Sequence, residues 1–315
     1  MPEKAAIIVH DLVRTFPGVK AVDGLSFSVN YGEIFGLVGP DGAGKTTTMR
    51  ILAGVLLPNS GWARVAGCDV VNDSEQVKQR ISYMSQRFGL YEDLTVDENI
   101  RFYAEVFAVK RPVYRERSER LLQAAGMQAF RNRLAGKLSG GMKQKLGLIC
   151  ALIHTPRVLL LDEPTNGVDP VSRRDFWKIL YSLLEEGVAI LTSTAYLDEA
   201  ERCHRVALMH QGRILFCDEP AALKAKLDNN VIAISTLDPR GVRAAIENFP
   251  GVHNVVLVGD GVHILVNDAS KITPGLREAM SAAQVSHTSI EAVTASLEDV
   301  FVNAVERQGE VPHER

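Results

Sequence analysis

The chain has little cysteine, no excess of either charge and no long apolar run. Four cysteines in 315 residues, Cys68, Cys150, Cys203 and Cys217, are widely spaced and form no CxxC pair. That excludes a disulfide framework or a zinc knuckle and reads as buried free thiols in a reducing compartment. Lys and Arg number 35 against 38 Asp and Glu, a net charge of −3, so there is no electrostatic case for nucleic acid as a partner. No segment offers the roughly 18 consecutive apolar residues of a bilayer-spanning helix. The start, MPEKAAIIVHDLVRTF, is broken by charges and lacks the basic-then-apolar order of a secretory signal. Any membrane role must therefore come through a partner.

What is present is an ordinary globular composition, 46% hydrophobic and 23% charged, over a length that suits one large domain and a smaller one. Residues 5–37 read as short strands, AIIVHDLV, GLSFSV and GEIFGLV, followed by a glycine-rich loop. TTTMRILAGVL then places Met49, Leu52, Val55 and Leu56 at helical spacing. Residues 87–135, rich in Arg and Glu, read as a mostly helical insertion. The core resumes with RVLLLDEP, a continuous apolar strand ending in two carboxylates, and GVAILTST, another buried strand. Strands alternating with helices predict a largely parallel sheet with its site at the strands' carboxyl ends. From about residue 230 the order changes. VIAISTL, a helix around RGVRAAIENF, VHNVVLV and VHILVN across a GDG turn, a helix around PGLREAMSAAQ, a strand and a closing SLEDVFVNAVER helix predict a small ferredoxin-like α+β domain.

GPDGAGKT, Gly39 to Thr46, fits GxxxxGK[ST] between a predicted strand and a predicted helix. Gly39, Gly42 and Gly44, with Pro40, Asp41 and Ala43 between them, let backbone N–H groups turn toward phosphate oxygens at a helix N-terminus. Lys45 would neutralise β- and γ-phosphate charge, Thr46 would offer a hydroxyl to Mg²⁺ and Thr47 would bond an α-phosphate. Asp162 and Glu163, closing VLLLDEP, supply the two acids that hydrolysis needs. Asp162 would hold Mg²⁺ and Glu163 would polarise the attacking water.

LSGGMKQKLGL, residues 138–148, resembles the signature of ATP-binding cassette (ABC) ATPases and precedes VLLLDEPTNGVDP as it does in that family. The resemblance runs from about residue 6 to residue 225. It implies a P-loop ABC cassette, a mostly parallel sheet with N-terminal antiparallel strands and a helical subdomain at about 87–150, spanning residues 1–228. The accessory domain would occupy 229–308 and a tail 309–315. The resemblance further implies that Phe16 stacks on adenine and that Gln86 joins Mg²⁺ to the interface with a transmembrane partner. Ser139, Gly140 and Gly141 would close on ATP held by a second cassette, and Asp169 would lie on the loop crossing that dimer interface. ATP and Mg²⁺ are the implied cofactors, and transmembrane permease subunits at the cytoplasmic face of the cell membrane are the implied partners. SLEDVFVNAVER resembles the tail of daunorubicin-resistance-type exporters. GPDGAGKTT, RFGLYEDLTV, LAGKLSGGMKQKLGL and STAYLDEAE resemble the first half of bacterial tandem-cassette multidrug exporters. In RFGLYEDLTV, Phe88, Leu90 and Tyr91 either line a groove for a membrane partner's short helix or are simply core residues.

Three positions depart from the family pattern. Asp41 replaces the usual Asn, either weakening nucleotide use by repulsion or pointing to solvent, and Met142 replaces the common Gln. Ala195 stands where the family expects a histidine that contacts the γ-phosphate, and Tyr196 would point elsewhere if the strand continued. Losing one transition-state contact costs roughly 2–4 kcal/mol, so this chain's own site is expected to be slow and its partner cassette to keep the histidine. Two alternatives remain open on sequence: a soluble ABC ATPase acting on ribosomes or DNA, and a regulatory cassette that binds ATP with little turnover.

Overall fold

The computed structural model describes residues 5–86, 88–227, 230–258, 261–285 and 289–309, with side chains to residue 305. Its first part runs β1 (Ala5–Phe16), β2 (Val19–Asn30), β3 (Ile34–Val38), α1 (Lys45–Leu52), β4 (Ser60–Val65), β5 (Cys68–Asp69), α2 (Ser74–Arg80) and β6 (Ile81–Met84). Next come α3 (Val96–Val106), α4 (Arg111–Ala124), α5 (Gly140–Leu152), β7 (Val158–Asp162), α6 (Pro170–Leu184), β8 (Ala189–Thr194), α7 (Leu197–Ala200), β9 (Arg205–His210) and β10 (Arg213–Asp218). The remainder is α8 (Pro220–Ala225), β11 (Val231–Ser235), α9 (Pro239–Ile246), β12 (Val252–Val258), β13 (Gly261–Val266), α10 (Ala269–Ala282), β14 (Ser289–Ala292) and α11 (Leu297–Gly309).

Contacts divide the chain into Met1–Cys217 and Asp218–Arg315. The division falls before residue 228 because α8 packs on α11 of the second unit. In the first unit a six-stranded sheet has the order β10-β9-β3-β8-β7-β6. The pairs β9/β3, β3/β8, β8/β7 and β7/β6 are all parallel. All residues of β3, β7 and β8 are buried, which is why IFGLV and VLLL read as uninterrupted apolar runs and AIL opens β8, while the polar residues Asp162 and Thr192–Thr194 gather at the strand ends. The carboxyl ends of β3, β8, β7 and β6 lie side by side, with Val38 opposite Thr194, Ser193 opposite Asp162 and Leu161 opposite Met84. An antiparallel sheet, β2-β1-β4-β5, forms from the N-terminal strands.

Several local readings change. α1 stops at Leu52, because Gly54 (φ 66°) turns the chain, and Val55 is 66% exposed instead of continuing the helical stripe. The helical insertion starts only at Thr95, whose hydroxyl and Glu98 form a reciprocal capping box. Phe88 and Leu90 are half-buried and Tyr91 exposed, so none of the three is a core residue. Cys68, Cys150 and Cys203 are buried free thiols as expected, but Cys217 is only partly buried.

In the second unit the sheet order β12-β13-β11-β14 with antiparallel pairing is the four-stranded βαββαβ arrangement expected of a ferredoxin-like domain. Helices α9 and α10 cover one face through Val242, Ile246, Leu276 and Met280. The α10 helix begins before Pro274, since the Asp268 carboxylate caps it by accepting from the N–H groups of Ser270 and Lys271. Gly259 and Asp260 of the expected GDG turn, and residues 310–315 of the expected tail, lie outside the described residues. Among the described residues no helix is long and apolar enough to cross a membrane.

Candidate functional site

Four adjacent strand ends bring the predicted residues together. After β3 the loop Gly39–Gly44 leads into α1, whose first turn has no side-chain cap and no acidic residue. That leaves its N–H groups and positive end open to an anion. Gly44 has φ 102°, and a Cβ there would stand 2.2 Å from the Ala21 carbonyl oxygen, so only glycine fits. Phe16, 37% exposed, ends β1 opposite Val19, in the hairpin whose second strand brings the Ala21 carbonyl against Gly44. The Arg14 guanidinium covers one face of the Phe16 ring at 4.7 Å. Asp41 is exposed, as the solvent-pointing alternative requires.

Lys45 Nζ donates to the Gly39 carbonyl at 2.7 Å and the Pro40 carbonyl at 3.1 Å, and lies 3.3 Å from Glu163 Oε1. The Thr46 hydroxyl donates to Asp162 Oδ1 at 3.0 Å. That oxygen also accepts from the Ser193 hydroxyl at 2.7 Å, while Tyr83 donates to Asp162 Oδ2 at 3.3 Å. Burial, reinforced by the neighbouring Asp162 charge, pushes the Tyr83 phenol up to about 12, so it stays a donor. Thr47 is half-buried in the first turn of α1.

Glu163 sits at φ 49°, a left-handed conformation unusual for a non-glycine residue. Its N–H donates to the Ser193 hydroxyl at 3.0 Å, and its Oε2 accepts from Gln86 Nε2 at 2.7 Å and Asn166 Nδ2 at 3.4 Å. Gln86 is thus joined to Glu163 and not to Thr46 or Asp162. Ala195, just past β8, is exposed and carries no polar side-chain atom into this group. Since β8 ends at Thr194, Tyr196 does not continue it, and its hydroxyl lies 3.4 Å from Asn166 Oδ1.

A second group forms around α5 and α6. Ser139 caps α5, its hydroxyl accepting from the Met142 N–H at 3.3 Å. Asp169 caps α6 by accepting from Ser172 N–H at 2.9 Å and Val171 N–H at 3.1 Å. The bonds from Ser172 hold its carboxyl below the usual carboxylate range. A Cβ on Gly141 would meet Ser172 Oγ at 2.4 Å, so this glycine lets the two helix starts touch. Ser139, Gly140 and Asp169 are exposed.

Sequence reasoning missed Tyr83, Asn166 and Ser193. The signal for Ser193 was available: three buried polar residues, Thr192, Ser193 and Thr194, end an otherwise apolar strand. Lysine, hydroxyl, paired carboxylates and an uncapped helix start can together bind a polyphosphate and orient a water molecule against it.

Residues 22–166 match the family profile described as ABC transporter. The chain is 42% identical over 305 residues to the probable multidrug ABC transporter ATP-binding protein YbhF of Escherichia coli (strain K12), covering 95% of this chain and 52% of YbhF. It therefore spans about half the length of that relative. With the daunorubicin/doxorubicin resistance ATP-binding protein DrrA of Streptomyces peucetius it shares 35% identity over 304 residues, covering 94% of this chain and 91% of DrrA. A solved structure described as the ATP-binding subunit of an ABC transporter superposes with a TM-score of 0.65 at 27% identity, covering 70% of this chain and 92% of the other.

Proposed function

The chain belongs to the ATP-binding proteins of ABC transporters, a family of ATPases whose hydrolysis is coupled to transport, and from that premise we propose that it energises export by separate permease subunits. The cargo class is drugs, the working location is the cytoplasmic face of the cell membrane, and the chain acts as one half of an asymmetric pair of cassettes. The observation that carries the reading is the convergence of Lys45, Thr46, Asp162 and Glu163 within hydrogen-bond or ion-pair distance at the ends of β3 and β7.

The residues present suit ATP with Mg²⁺. The Thr46 hydroxyl and Asp162 carboxylate meet at 3.0 Å, and hard oxygen donors of this kind are what Mg²⁺ selects. When bound, the ion spreads charge on the β- and γ-phosphates. Lys45 and the open N–H groups of the phosphate loop and α1 hold the phosphates, with Thr47 at the α-phosphate and Phe16 against the adenine. Glu163 accepts a proton from the attacking water, and Gln86 and Asn166 fix the direction in which its carboxylate faces. Ser139, Gly140 and Asp169 face outward, with the buried Gly141 seating α5 against α6, to complete the site of a second cassette.

Of the three expected groove residues, Phe88 but neither Leu90 nor Tyr91 lines a cavity of about 210 Å³, together with Ile81, Tyr103, Phe107 and Ala151 and the polar Lys78 and Ser82. Its apolar wall supports docking of a short permease helix here. At 195 the missing imidazole removes one contact to the γ-phosphate, so turnover at this site is slow and a partner cassette supplies the faster one. Affinity capture of the full chain from detergent-solubilised membranes tests the assignment. A membrane permease accompanied by a second, histidine-bearing cassette is expected, whereas only ribosomal partners would overturn it.

A further inference from the structure

Glu199 is 1% exposed, although it stands in the short helix α7 immediately past the exposed Ala195. A buried carboxylate is costly unless its oxygens are bonded or paired. Here its Oε1 accepts a hydrogen bond from the hydroxyl of Thr165, itself 1% exposed. The same oxygen lies 3.2 Å from Arg173 Nε, which forms an ion pair though it is not aligned as a hydrogen bond. Thr165 follows Glu163 in the turn beyond β7, and Arg173 lies in the first turn of α6, whose cap is Asp169. One oxygen therefore holds both ends of the segment running from the candidate water-polarising acid to the acid that faces a second cassette.

That segment needs an outside restraint. Glu163 is held in a left-handed conformation, φ 49°. Glu163 itself is held from outside by Ser193, Gln86 and Lys45, but beyond it the backbone bonds of the turn are short-range, from Asn166 N–H to the Glu163 carbonyl at 3.2 Å and from Val168 N–H to the Thr165 carbonyl at 3.1 Å. Ala195 contributes no polar side-chain atom, and the Tyr196 hydroxyl reaches Asn166 at the surface. Arg173 adds a second fastening from the same side: it pairs with Asp198 at 3.4 Å and lies 5.1 Å from the Tyr196 ring.

Resting on the function proposed above, we propose that Glu199 is a positioning residue that locks the Glu163–Asp169 segment through Thr165 and Arg173, tying the acid of this chain's own site to the loop it presents to a partner. It acts from behind the loop, so it works whether or not residue 195 bears an imidazole.

The test uses the full chain with Thr165→Val, Glu199→Gln and the double variant, and Thr165→Ser as the hydroxyl-retaining control. TNP-ATP binding and steady-state hydrolysis are measured on each, together with thermal unfolding. Thr165→Val and Glu199→Gln are each expected to lower kcat by about tenfold or more, the scale of a misplaced reacting group, while KM and TNP-ATP affinity stay within about twofold. The double variant is expected to fall no further than the worse single one, since both act through one oxygen, and Thr165→Ser to keep wild-type kcat. Unchanged kcat in folded Thr165→Val and Glu199→Gln, or losses that multiply in the double variant, would overturn the proposal while leaving the ATPase reading intact. A wild-type chain that does not bind TNP-ATP would overturn both.

Discussion

Lys45 and Glu163 face each other at 3.3 Å in a site that must bind a polyanion and then attack it, and substitutions at these positions separate the two tasks. Glu163→Gln keeps the side-chain shape and loses the carboxylate proposed as the base, so it should retain ATP affinity while turnover falls by about 10² or more, measured by nucleotide binding and phosphate release. Equal losses of binding and turnover would contradict that division of labour. Gly44→Ala should fail earlier. Its backbone conformation alone costs about 1–3 kcal/mol, and the new Cβ meets the Ala21 carbonyl, so both urea stability and nucleotide binding should drop. These residues were legible because GPDGAGKT and VLLLDEP are local patterns. Tyr83 was not, since its hydroxyl reaches Asp162 from another strand of the sheet, and for Ser193 the polar end of β8 marked the position while no local spacing encoded its meeting with Asp162.

Among elements, the buried strands were readable because β3 and β7 are apolar over almost their whole lengths and β8 opens with an apolar run. Helix limits were harder, because they depend on caps and turns as well as on periodicity. Val55 kept the apolar spacing of α1 but lies beyond the Gly54 turn, and Pro274 suggested a helix start where Asp268 had already set one. The Thr95 capping box has a measurable role of its own. Thr95 Oγ1 accepts from the Glu98 N–H at 3.2 Å, so Thr95→Ala should cost about 1 kcal/mol, seen as a lower urea midpoint with an unchanged slope. The helical insertion carrying α3 should loosen first, which amide exchange across Val96–Val106 would report.

Over the whole molecule, the sequence order of strands and helices was enough to indicate a parallel-sheet cassette followed by a ferredoxin-like unit, yet the end of the first unit was not marked by composition. In the second unit one interaction links folding to pH. His263 lies 3.0 Å from the buried Asp299, whose carboxylate also accepts from the Ser296 N–H and hydroxyl. The hydrogen bond to Asp299 raises the His263 pKa above 6.5. Burial opposes ionisation of Asp299, but its bonds to His263 and Ser296 win and hold it below 3.8. The histidine's contribution is full below 6.5 and is lost as pH rises through its raised folded value. The aspartate's is full above 3.8 and is lost as pH falls through its lowered folded value. The unit should therefore unfold at lower temperature as pH climbs from about 6.5 into the alkaline range, and His263→Gln should flatten that limb.

The central claim concerns the cassette, where an otherwise equipped ATP site meets an alanine at position 195. Steady-state ATP hydrolysis by the purified full chain, compared with Ala195→His, tests it most directly. If one γ-phosphate contact is missing, the wild-type chain alone turns over slowly and the histidine raises kcat by tenfold or more, within the roughly 2–4 kcal/mol that such a contact supplies. A wild-type rate already typical of exporter ATPases, with no gain from Ala195→His, would contradict the account.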